Sequence, residues 1–290
     1  MVPFVKLKNF WYVLYPMENG NFIHLCQPDE GKSCGACCGL YNYAVSTRES
    51  LRERLRNRTE LFRRTVCSMM DIQAFSEKIR QSENGARLYD VIYCCEYLGF
   101  LDVEEKRVGC LLHPLQNSGQ DLRDVSFYGR ELCEGHFCPS YHYISREEQQ
   151  ALLHILDDWY LYGLCVTDID LVKEYFRLIS EKVYEMPSPD SFRIPALKEA
   201  SLRFFSFKIS WPYRSEAANR FGKYYFDGSQ YMIHHIDYEA LNVEPSRFKK
   251  IFLSLSSDFK DAAQVREAET LIQNAIDEFV LHYNEIKDSR

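Results

Sequence analysis

Residues 34–39 read CGACCG, placing Cys34, Cys37 and Cys38 within five positions, with Gly35 and Gly39 inside and beside them. Buried free thiols are ordinary core residues and have no need to crowd. A C-x-x-C pair instead bends a short loop so that two thiolates can meet one metal ion, and glycine permits the tight backbone this requires. Working outward, ten of the 11 cysteines lie between Cys26 and Cys138, and only Cys165 falls beyond them. That shift in composition marks a cysteine-rich unit, residues 1–140, followed by a mainly helical unit, residues 141–290.

The blocks after CGACCG continue the pattern: Cys94-Cys95 in IYCCEYLGFLD, Cys110 in VGCLLHP, and Cys133 and Cys138 in ELCEGHFCPSY. A tetrahedral ion takes four ligands. The chain offers seven good candidates: Cys34, Cys37, Cys38, Cys95, Cys110, Cys133 and Cys138. Neighbouring cysteines such as Cys37 and Cys38 usually point apart, so both ligate only if the loop is irregular or each serves a different metal. Two ions sharing bridging thiolates, or a four-iron cluster with spare thiolates nearby, would use the surplus. Cys138-Pro139 echoes the Cys-Pro that closes bacterial ferredoxin motifs. Thiolate-rich sites suit zinc or iron–sulfur clusters and disfavour magnesium and calcium; of the two, iron–sulfur is slightly favoured here.

The remaining cysteines read as passengers. Cys26, Cys67 and Cys165 sit in strand-like or helix-like apolar contexts and are expected to act as small hydrophobes, while Cys94 is expected to face the core. His113 and His136 lie close enough in sequence to cysteines to ligate, although hydrogen bonding to a thiolate is the more usual role for such a residue. His234-His235 is read as structural.

Composition bounds the rest. The 290 residues are 46% apolar, and a net charge of −7 argues against a chain built to coat nucleic acid. No run approaches the roughly 20 apolar residues of a membrane-spanning helix. The start, MVPFVKLKNFWYVLYP, lacks the pattern of a secretory signal. A cytoplasmic protein with reduced thiols is therefore expected, and an odd cysteine count disfavours a fully paired disulfide framework.

Periodicity predicts a mainly α architecture with short β-hairpins (α+β), the metal-bound cysteine-rich half packed on a helical half. FWYVLYP and NFIHL flank Asn19-Gly20 as an expected hairpin. Ser46 and Glu49 form a capping-box pattern opening a helix whose stretch 46–64 carries seven arginines against three glutamates. Those arginines offer a docking surface for an acidic protein partner or, more ordinarily, a solvated face. Helix continues, after a break, to Ser82, and Asn84-Gly85 ends it. SREE at 145–148 opens a helix with Leu152, Ile155, Leu156 and Trp159 on one face. Thr167 and Asp170 open another, with the stripe Val172, Tyr175, Phe176, Ile179 and Val183. The last carries Ile272, Ile276, Phe279, Tyr283 and Ile286. Phe205, Phe207, Ile209 and Trp211 alternate with polar residues and predict a strand, and KYYF-DGS-QYMI predicts a hairpin across Asp227-Gly228.

Taken together, CGACC, a cysteine ahead of Leu-Gly-Phe-Leu, GCLLHP and a cysteine pair ending in Cys-Pro resemble a family of zinc- or iron-chelating proteins named for a CxxCxxCC signature. Flagellin lysine N-methylases carry a similar signature. The resemblance covers roughly residues 31–140 and implies metal binding by Cys34, Cys37, Cys38, Cys95, Cys110 and Cys133 or Cys138. The chain departs from the pattern at Gly31, where the signature's first cysteine would fall. It departs again at His113-Pro114, which replaces an Arg-Pro and precedes a long insertion before Cys133. These departures bear on the number of ligands rather than on metal binding.

Three functions compete. The first is a cysteine-ligated iron–sulfur or zinc protein in redox or metal handling. In the second, structural zinc staples loops while the helical half binds another protein. The third is a protein-modifying methyltransferase-like enzyme, by analogy with the flagellin-modifying relatives, although no GxGxxG follows a clear strand. Gly31-Lys32-Ser33 is not a phosphate loop, because the motif needs glycine where Cys26 stands.

Overall fold

The computed structural model describes residues 4–7, 10–13, 23–83, 87–216 and 224–289. It is mainly helical, with short antiparallel strand pairs. Strands β1 (Phe4–Leu7) and β2 (Phe10–Val13) pair with Phe4 opposite Val13. FWYV thus forms a strand as expected, but against the preceding residues; the turn expected at Asn19-Gly20 lies outside the described residues.

Helix α1 (Arg48–Thr65) is capped by Thr47, whose side chain accepts from Ser50 N, rather than by Ser46. Its arginines are largely consumed within the molecule. Arg58 is buried and donates to Glu83 and to the Cys95 carbonyl at 2.9 Å, Arg54 pairs with Glu83, Arg48 with Asp158, and Arg52 and Arg56 share Glu105. Helix α2 (Met69–Ser82) follows after a break capped by Ser68; the expected stop at Asn84-Gly85 lies outside the described residues. Strands β3 (Leu98–Phe100) and β4 (Val108–Cys110) form the hairpin behind the cysteine loops.

Short helices α3 (Gly129–Gly135) and α4 (Ser140–Tyr143) lead into the helical region. Helix α5 (Arg146–Ile155) opens on the expected capping box, with both the Ser145 and the Glu148 bonds made. The helix expected to run through Trp159 is two helices. Leu156 is extended, and Asp158 caps a second one, α6 (Trp159–Val166), by accepting from Tyr160 N and Leu161 N. Every residue of α6 is buried. One side, Leu161, Tyr162, Cys165 and Val166, joins the helical core, while Trp159, Tyr160 and Leu164 join a core with Leu40, Leu51, Leu55 and Phe100. Helices buried all round show no amphipathic stripe, which is why this one escaped sequence reading.

Helix α7 (Ile169–Val183) is capped by Asp168 rather than Thr167, and its expected stripe from Val172 to Val183 is buried. The predicted strand at 205–211 is instead the end of helix α8 (Pro195–Ser210). The residues it buries, Leu197, Ala200, Ser201, Phe204, Phe205 and Lys208, follow helical spacing. Ser201 and Lys208 are polar residues on the buried face, so an apolar count misread the period. Ser201 accepts from Tyr175 Oη at 2.7 Å and Lys208 pairs with Asp168, which satisfies both.

Strands β5 (Tyr224–Asp227) and β6 (Gln230–Ile233) make the expected hairpin, with Gly228 at φ 59°, a conformation glycine adopts at little steric cost. Helices α9 (Lys249–Ser254) and α10 (Ala262–Asp288) complete the fold. Ile272, Ile276 and Phe279 of α10 are buried, with Tyr283 and Ile286 packed at the edge of the core. Among the described residues no helix is long and apolar enough to cross a membrane.

Candidate metal centre

Backbone hydrogen bonds bring the cysteine blocks together before any side chain is considered. Cys34 N donates to Cys26 O at 2.9 Å, closing the loop 26–34. Inside that loop Asp29 Oδ1 accepts from Gly31 N and Lys32 N, and the buried Lys32 ammonium donates to the Leu153 carbonyl at 2.7 Å. Lys32 therefore ties the loop to α5. Ser33 Oγ accepts from Val108 N at 2.6 Å, and Gln27 Nε2 donates to Val108 O at 2.7 Å, hooking β4 onto the loop and setting Cys110.

CGACCG folds as a single turn of 3-10 helix, Ala36–Cys38, stopped by Gly39 at φ 79°. A Cβ on Gly39 would lie 2.2 Å from the Tyr93 carbonyl and 2.7 Å from Cys94 Cα. Only glycine lets this turn lie against the 93–95 segment. The contact is completed by Cys95 N donating to Cys38 O at 2.9 Å.

At the far side, α3 carries Cys133, whose sulfur is 3.9 Å from Ser126 Oγ. Cys138 follows α3, and its carbonyl accepts from Tyr141 N. The Tyr141 hydroxyl accepts from Cys26 N at 3.2 Å and donates to Cys26 Sγ at 3.6 Å, bringing the two ends of the cysteine-rich stretch together.

All seven cysteines assigned from the sequence line one cavity of about 770 Å³. An eighth, Cys26, lines it too, although its apolar flanks suggested a core role. The signal that could have found it is the turn-rich spacer QPDEGKS, which closes a short loop from Cys26 back to Cys34. Among the described residues, no group of three His, Cys, Asp or Glu side chains is already gathered as an ion would hold it. The thiols face a common space from its walls.

Of the other cysteines, Cys94 is buried in the second core with its thiol directed at Gly39 O, and Cys165 is buried in the helical core. Cys67 departs from its expected apolar setting and is exposed in the break between α1 and α2. His234 Nε2 donates to the Ser257 carbonyl at 2.8 Å, a structural role.

Burial dominates the electrostatics of the thiols. It pushes Cys26 and Cys110 up to about 11 and raises Cys34, Cys38 and Cys95 well above the ordinary thiol range, with neighbouring cysteines adding to the effect. Cys138 moves the other way, to about 6, because the Cys37 thiol donates to it and Ser140 bonds it as well; Cys37 is raised in return. Crowded buried thiols resist ionisation until a cation supplies the opposing charge.

The histidines are placed differently from the thiols. His24, His113 and His136 all line the cavity. His24 Nδ1 accepts from Gln27 N and His113 Nδ1 accepts from Leu115 N, at 3.1 and 3.2 Å. Each neutral ring then carries its proton on Nε2, and neither offers a lone pair without giving up a backbone bond. Burial lowers His113 to about 4, which keeps that ring neutral. His136 is exposed beyond the end of α3. The donor set is accordingly sulfur.

Compared with protein-family models, with curated proteins and with solved structures, the chain finds no match in any of the three. Its resemblance to the cysteine-signature family rests on the quoted residues alone.

Proposed function

We propose that this protein binds metal through cysteine thiolates inside the cavity, as an iron–sulfur cluster or as zinc, and serves redox chemistry or metal handling. One observation carries the reading: seven cysteines spread over residues 34–138 converge on one space of about 770 Å³. Apolar packing does not require thiols to collect in this way. The donor set fits soft metals, since sulfur dominates and the two best-placed imidazoles are engaged with backbone. Cys34, Cys37, Cys38, Cys95, Cys110, Cys133 and Cys138 would hold the metal. When bound, it would supply the positive charge that these thiols lack in one another's company.

Iron–sulfur is placed ahead of structural zinc on the ferredoxin-like Cys138-Pro139, since a surplus over four thiolates serves either metal equally. The zinc reading, in which the ion only staples segments, draws on how short the carriers are: a 3-10 turn, the 93–95 segment, the end of β4 and the short α3. Anaerobic purification followed by analysis for iron, zinc and acid-labile sulfide separates the two. Iron with matching sulfide, and absorbance near about 400 nm bleached by dithionite, supports the cluster. A colourless chain holding zinc leaves the staple. A chain with neither metal ends the proposal.

A further inference from the structure

We propose that the cavity holds two metal centres, each with four cysteines: Cys26, Cys34, Cys37 and Cys138 at one, and Cys38, Cys95, Cys110 and Cys133 at the other. This inference rests on the thiolate site proposed above and adds to it a division, a stoichiometry and an eighth ligand, Cys26.

The first group is joined by direct contacts. Cys34 N bonds Cys26 O, Tyr141, hydrogen-bonded to the Cys138 carbonyl, donates its hydroxyl to Cys26 sulfur, and Cys37 follows Cys34 at the C-x-x-C spacing. Cys34 also packs against the helical core. The second group lies on the other side of the 3-10 turn. Cys38 accepts Cys95 N at its carbonyl, and Cys38, Cys95 and Cys110 pack into a single cluster with Phe62, Phe75 and Leu111. Cys133 approaches from α3.

Adjacent residues of a 3-10 turn project about 120° apart, so Cys37 and Cys38 diverge and a single ion cannot collect both without rebuilding the loop. Four thiolates complete a zinc ion or an iron–sulfur cluster. Eight in two fours complete two. Each thiol gives up its proton to solvent as it ligates.

Metal and sulfide are counted per folded chain in the wild type and in Cys26→Ser and Cys133→Ser, purified anaerobically. Two centres in the wild type, and a twofold loss in each single variant, are expected, with the double variant holding none. One centre per wild-type chain overturns the division and leaves the thiolate site standing, whereas no metal at all overturns both. Full metal content in Cys26→Ser overturns the assignment of that residue. Should a variant fail to fold, alkylation of the wild type decides. Cys37 and Cys133, both exposed and one from each group, become protected in the loaded chain while Cys67 stays reactive. Labelling of either in the loaded chain overturns the pairing.

Discussion

The helical region and the cysteine-lined region bury their polar groups in opposite ways. Among the helices, Lys208 is fully buried, yet its ammonium donates to Asp168 Oδ2 at 2.6 Å and to the Ser254 carbonyl at 2.9 Å. Asp168 Oδ1 accepts from Ser254 Oγ and from Leu171 N. Each charge there is answered from within the chain, and α7, α8 and α9 are fastened at one point. Around the cavity, buried thiols line one space, and burial and nearby thiols both oppose their ionisation. A region that answers its own charges needs nothing further for them, whereas the proposed metal would supply what the gathered thiols lack.

The largest expected effect tests the first half of that comparison. Asp168→Ala strands the Lys208 ammonium and removes the α7 cap, and should cost about 3–5 kcal/mol, read as a lower urea midpoint. Metal content per folded chain should not change; a loss would mean that the two regions are not energetically separate. Phe279→Ala, which empties a site stacked on Phe192, should cost about as much, near 3–5 kcal/mol, again without changing metal content.

Gly39→Ala attacks the other region. The new methyl group collides with the Tyr93 carbonyl at a positive φ, so about 1–3 kcal/mol is expected. The greater consequence is for metal: Cys38 and Cys95 should be driven apart and metal content should fall. Unchanged metal content would show that the turn does not set the site. Cys165→Ser provides the control. A hydroxyl in an apolar core should cost about 1–3 kcal/mol with full metal retained.

The smallest effect concerns the surface. Glu105 is held down to about 2, chiefly by its hydrogen bond from Arg56 and also by Arg52. A lowered carboxyl contributes stability that is present above its ordinary value of 4.5 and is lost as pH falls towards 2. Because both arginines are about half exposed, Glu105→Gln should cost no more than about 1 kcal/mol at neutral pH, and less at high salt. An effect as large as that of Asp168→Ala would contradict the contrast between surface and buried pairs.

Legibility in the sequence followed solvent contact. Helices α5, α7 and α10 each have one wet face, so their apolar stripes named most of the buried residues, with Trp159 falling in α6 and Tyr283 and Ile286 at the edge of the core. Asp227-Gly228 marked its hairpin because a local backbone requirement chose the residue. Reading failed where burial was complete or polar groups went inside: α6 has no wet face, and Ser201 and Lys208 disguise α8 as a strand. Cap positions slipped by one residue at Thr47 and Asp168, where neighbouring residues could equally well accept the bond.

The sequence by itself determined the helical character of the chain, the clustering of cysteines in its first half and sulfur as the candidate donor, because these depend on residue type and short spacing. Tertiary structure decided which thiols share a space, that Cys26 joins them, and that five of the seven arginines of α1 pair with carboxylates of the chain. Those outcomes depend on bonds between residues far apart along the chain, such as Cys38 with Cys95 at the backbone and Tyr141 with Cys26 across more than 100 positions. No local period encodes them, since the energy that selects them exists only once the loops have met.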